Sequence, residues 1–162
     1  CPRNCTRLID TAIECVDDIN FSREKYIKTL NSEIRRDLLT QTSIKMIFAL
    51  FTDGHDNASE MTSKHLNQKI KTFQKDSGIA MFLAANQDAI NTGGRFGFSA
   101  DTSLTVGTSS LTASSALQHT SDLIRSASSG MREVSYTMAM REESQDSMNS
   151  SPVNNFLMPT RM

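Results

Sequence analysis

The chain has 162 residues, enough for one ordinary domain with a single sizeable core and few for two. Its 17 Lys and Arg against 18 Asp and Glu give a net charge of -1 with no long run of either sign, which speaks against a nucleic-acid or membrane-surface partner. Nothing approaches the roughly 18 consecutive apolar residues of a membrane-spanning helix, and the odd count of three cysteines, Cys1, Cys5 and Cys15, argues against a closed disulfide framework.

From Leu8 to about Ile19 the apolar residues Leu8, Ile9, Ala12, Ile13, Val16 and Ile19 recur at helical spacing and predict a core-facing helix. The charged stretch that follows, to about Thr42, predicts a surface helix and loop. Ile44 to Thr52 is nearly continuous apolar sequence closed by Thr-Asp-Gly, the pattern of a parallel strand buried on both faces. Ser59 to about Lys75 places Met61, Leu66, Ile70 and Phe73 on one side of an amphipathic helix, stopped by Ser77-Gly78. Ile79 to Ala85 predicts a second buried strand, Asp88 to Gly97 a short helix, and Ser103 to Val106 a third strand. Ser114 to about Thr137 predicts a final helix of a domain spanning 1–138. Residues 139–162 are polar, aperiodic and punctuated by Pro, and predict a disordered tail.

Alternation of helix and strand with right-handed crossovers predicts an α/β fold: a three-layer, Rossmann-like partial domain with a parallel sheet flanked by helices. In such sheets ligands sit beyond the carboxyl ends of the strands. There the first strand runs into Thr52-Asp53-Gly54-His55-Asp56-Asn57, with Gly54 expected to let the backbone turn sharply, and the second into Asn86-Gln87-Asp88. A strand-end carboxylate beside hydroxyl groups suits a hard divalent cation, which makes Asp53 the first candidate ligand. Read alone, Thr-Asp-Gly better suits an Asp that merely closes a turn or caps the next helix. His55, His65 and His119 are scattered and read as solvent-facing. No Gly-x-Ser-x-Gly elbow is present, and Gly93-Gly94-Arg95-Phe96-Gly97 lacks the Lys-Ser/Thr of a phosphate loop.

Three segments together resemble the von Willebrand factor type A domain. KMIFALFTDGHDNASE is similar to that family's third metal-site motif, an apolar strand ending in Thr-Asp-Gly. Asn4-Cys5-Thr6-Arg7-Leu8-Ile9-Asp10-Thr11-Ala12-Ile13 is similar to its Gly-Gly-Thr-x-Leu-x-Asp-Ala-Ile segment, with Asn4 and Cys5 where the family has small residues. IAMFLAANQDAINTGGRFGFSADTSLTV is similar to a segment of its bacterial and phage-like branch. The resemblance implies metal ligation by Thr6 and Asp53. It also implies a protein-interaction module in which Mg²⁺, or Mn²⁺, keeps a coordination position open for an acidic side chain of a partner. The partner-binding residues are then Gly54, His55, Asp56, Asn57, Asn86, Gln87 and Asp88.

The family's defining Asp-x-Ser-x-Ser motif occurs nowhere in these residues. It belongs on a strand upstream of Thr6, so the chain reads as the C-terminal part of such a domain, missing its N-terminal half. Thr6 and Asp53 alone offer few charged oxygens, and weak or absent metal binding is expected of this chain by itself. Two alternatives stand beside this one. One is a Mg²⁺-dependent phosphohydrolase or nucleotide-handling enzyme using Asp53 and Asp56; the other is a degenerate structural domain. Free thiols and the absence of a leader in these residues place the chain in the cytoplasm by default.

Overall fold

A computed structural model describes residues 6–41, 44–85, 87–130 and 134–146. Among them lie the helices α1 (Leu8–Thr29), α2 (Ser32–Gln41), α3 (Ser63–Lys75), α4 (Ala89–Phe96), α5 (Ser110–Ser128) and α6 (Met138–Glu143), and the strands β1 (Met46–Thr52), β2 (Gly78–Ala85) and β3 (Ser103–Val106). The strands form one parallel sheet in the order β1-β2-β3. Its register sets Met46 beside Gly78 and Thr52 beside Ala84, then Phe82 beside Ser103 and Ala85 beside Val106.

The two-residue period of a strand divides the core between the two faces of this sheet. Phe48, Ala80, Phe82 and Ala84 pack with Leu8, Ala12 and Val16 of α1, Leu66, Ile70 and Phe73 of α3, and Phe96 of α4. Met81, Leu83, Leu104 and Val106 pack on the opposite side with Ala116 and Leu123 of α5 and with Tyr136. Helices thus cover both faces, and the fold is the three-layer α/β arrangement that the alternation of elements predicts. No helix among the described residues is long and apolar enough to cross a membrane.

Several elements differ from expectation. β1 is buried on one face only: Met46 and Phe48 are covered, whereas Ala49 is exposed and Phe51 keeps 47% of its surface in solvent. It is the outer strand of the described sheet, and an apolar run cannot report whether its second neighbour is present. α1 continues to Thr29, ten residues past the core-facing stripe, through good helix formers such as Arg23, Glu24 and Lys25. α3 starts only at Ser63, because Thr62 and His65 form its capping box and the preceding residues contact α1 instead.

The expected tail also begins differently. Residues 138–143 form α6, and the segment 134–146 lies along the outer strand β3. Tyr136 N–H donates to the Asp101 carbonyl at 2.9 Å, the Arg141 guanidinium donates to the carbonyls of Ser103 (2.6 Å) and Ala100 (2.8 Å), and Gly107 N–H donates to Ser144 O at 2.7 Å. The bond to Ser103 O satisfies a backbone group of β3 itself, and the others tie down the residues just before and after the strand. A polar composition therefore hid a segment held by hydrogen bonds rather than by an apolar stripe. Residues 147–162 lie outside the described ones.

Candidate functional site

The carboxyl ends of the strands gather most of the residues singled out from sequence. Thr52, buried at the end of β1, closes the turn with its own side chain. Its Oγ1 donates to Gly54 O at 2.9 Å and accepts from Gly54 N–H at 3.2 Å. Asp53 projects from that turn, exposed, and has no hydrogen-bond or ion-pair partner among the described residues. The turn does not depend on glycine: a methyl group at Gly54 would meet nothing within 4 Å, and its φ is not positive. The tight turn expected of Gly54 comes from the Thr52 hydroxyl.

Thr6 is brought against the far end of the same loop. Its N–H donates to Asn57 Oδ1 at 2.7 Å, and its carbonyl accepts the N–H groups of Asn57 (3.1 Å) and Ala58 (3.2 Å). The Thr6 hydroxyl has no partner among the described residues. Two aspartates tighten this junction. Asp56 Oδ1 accepts from Ile9 N–H at 3.3 Å and from the Ser59 hydroxyl, so it caps the first turn of α1 across the chain. Asp10, in that first turn and buried, accepts from Glu60 N–H (3.0 Å), Met61 N–H (2.9 Å) and the Arg7 guanidinium (2.8 Å). The backbone N–H groups of Glu60 and Met61, with Arg7, hold its pKa below the usual carboxylate value against the opposing effect of burial.

The loop after β2 contributes less. Gln87 Nε2 donates to Gly54 O at 3.3 Å, which ties it to the turn that carries Asp53. Asp88 is the N-cap of α4, its Oδ1 accepting from Ile90 and Asn91 N–H at 3.0 Å each. Asn86 lies outside the described residues. His55 is exposed and without a hydrogen-bond or ion-pair partner among the described residues. His65 completes the cap of α3, accepting Thr62 N–H through Nδ1 at 3.3 Å. His119, expected to face solvent, is instead mostly covered between α5 and α6, with Nε2 3.0 Å from Glu143.

As a cation site the cluster is partial. Asp53 and Thr6 keep their side-chain oxygens free, whereas Asp56 and Asp88 each commit Oδ1 to capping a helix, and no group of three or more His, Cys, Asp and Glu converges among the described residues. The three side-chain oxygens of Asp53 and Thr6 fall short of the six that octahedral Mg²⁺ takes. Sequence reasoning gave no site role to Asp10 or Ser59, whose function is to join α1 to the loop; the Asp at the third position of a helix was the available signal. Comparison with protein-family models, with curated proteins and with solved structures finds no match to this chain.

Proposed function

We propose that the chain is part of a von Willebrand type A-like protein-interaction module, binding rather than converting its partner. The supporting observation is the junction itself. Two segments far apart in sequence, Thr6 and the loop from Asp53 to Asn57, are held together beyond the carboxyl end of β1, with the Asp53 carboxylate left free. In this reading Asp53 and the Thr6 hydroxyl are the chain's share of a divalent-cation site, and a bound Mg²⁺ or Mn²⁺ supplies the positive charge that attracts an acidic side chain of the partner. Gly54, His55 and Asn57 of the same loop, with Gln87 tied to Gly54 O, are in this reading the partner-binding residues. Asp56 Oδ1 is engaged by Ile9 N–H and the Ser59 hydroxyl, so the enzyme alternative, which needs Asp53 and Asp56 together on the metal, has one wholly free carboxylate and one already half committed to the loop.

Immobilised polyglutamate, with its repeated carboxylates, is the probe for this reading. The chain is retained in Mg²⁺, and retention falls in chelator and in Asp53→Ala. Equal retention in chelator, or by the Asp53→Ala chain, contradicts the proposal.

A further inference from the structure

Beside this junction, the loop after β1, the start of α3 and the helix α4 enclose an open pocket of about 370 Å³. Its apolar lining is Ile9, Met61 and Phe96, and its polar lining includes Arg95, Ser63, Thr92 and His55. None of these four polar side chains has a hydrogen-bond or ion-pair partner among the described residues. Among the described residues, the guanidinium groups of Arg7 and Arg125 pair with Asp10 and Asp122 and those of Arg35 and Arg141 with backbone carbonyls, whereas Arg23 Nε is buried without a partner. The one carboxylate in the lining, Asp56, already has Oδ1 occupied by Ile9 N–H and Ser59, and it makes no ion pair with Arg95.

A planar guanidinium with free donors recognises a carboxylate through two parallel N–H···O bonds, and adjacent hydroxyls add donors of adjustable direction. An apolar surface next to them selects for a body that water solvates poorly. The volume lies at the small end of ligand pockets, which run from roughly 300 to 1,000 Å³. We propose that this pocket binds a small carboxylate with an apolar body, Arg95 pairing with the carboxylate, Ser63 and Thr92 donating to it, and the body resting on Ile9, Met61 and Phe96. The ligand comes from one of two sources: a free organic acid, or an acidic side chain adjoining an aromatic one on a partner protein. The site uses neither Asp53 nor a metal, so it stands apart from the proposal above.

Amide chemical-shift titration of the full chain in chelator tests it, with phenylacetate and the peptide acetyl-Phe-Glu-amide as probes and phenylacetamide as the uncharged control. Saturable shifts centred on Ser63, Thr92 and Arg95 are expected for phenylacetate, at least tenfold weaker binding in Arg95→Gln, and partial recovery in Arg95→Lys. Tighter binding of the peptide than of phenylacetate identifies a protein partner as the source, and the reverse order a free acid. No saturable shifts, equal shifts with phenylacetamide, or an unchanged affinity in a folded Arg95→Gln chain would each overturn the proposal.

Discussion

Thr6 and Asn57 hold each other reciprocally: Thr6 N–H donates to Asn57 Oδ1 at 2.7 Å, and Asn57 N–H donates to Thr6 O at 3.1 Å. The pairing fixes the entry to α1 against the loop that follows β1. Asn57→Ala removes the side-chain half of it. The cost is about 1 kcal/mol, the net worth of one partly exposed hydrogen bond, read as a lower midpoint in urea. Faster amide exchange confined to residues near Thr6 and Asn57 is the accompanying signature; exchange unchanged there would mean that the pairing does not hold the loop.

Asp10 gives the same junction a pH dependence. Its carboxyl is held below its ordinary value of 3.8 in the folded chain, so its stabilising effect is fully present above that value and is lost as pH falls through the folded pKa. The wild-type thermal midpoint therefore drops below about pH 4. Asp10→Asn, which keeps one acceptor oxygen but cannot ionise, starts lower at neutral pH and loses less on acidification. Parallel curves for the two chains would remove Asp10 from this account.

Tyr136 acts at the opposite end of the pH scale. Thr120 Oγ1 lies 2.7 Å from Ala116 O and 2.8 Å from the Tyr136 hydroxyl, which is buried. Burial pushes its pKa from 10.0 to about 12, against the Thr120 hydrogen bond and the Arg141 charge, which lower it. A raised folded pKa means stability that is complete below pH 10 and is lost as pH climbs towards 12. The loss is on the order of 2 to 3 kcal/mol. Tyr136→Phe costs about 1 kcal/mol at neutral pH and flattens this alkaline decline. Urea unfolding at pH 8 and pH 11 separates the two chains.

The segment 134–146 closes the β3 edge chiefly through Arg141, whose guanidinium reaches the carbonyls of Ser103, Ala100, Asp101 and Tyr136. Arg141→Ala strips those carbonyls of a charged donor at a cost of about 2 kcal/mol. Exchange protection of Ser103–Val106 falls with it, and the exposed edge makes the chain more prone to associate. Unaltered protection in this variant would show that α6 covers the edge without the guanidinium.

The strands were readable because the apolar runs at 44–52 and 79–85 are bounded by turn residues, and α3 because Leu66, Ile70 and Phe73 keep helical spacing. The exposure of Phe51 was not readable, since strand hydrophobicity records the faces a strand can bury and not the neighbours it has. The segment 134–146 escaped for a different reason: Arg141 acts over 38 residues on Ser103, and Asp146 over 38 on Thr108, and neither leaves a periodic trace. Within the site, Asp53, Asp56 and Asp88 look alike in sequence. Only their partners separate a free carboxylate from two helix caps.

The central claim, that Asp53 and Thr6 share a cation position, is tested most directly by Mn²⁺ titration with residue-resolved paramagnetic broadening of the amide spectrum. With so few ligands, binding on the order of millimolar or weaker is expected. The account predicts broadening centred on Asp53, Gly54 and Thr6 that disappears in Asp53→Ala. Broadening centred elsewhere, or persisting unchanged in Asp53→Ala, would contradict it.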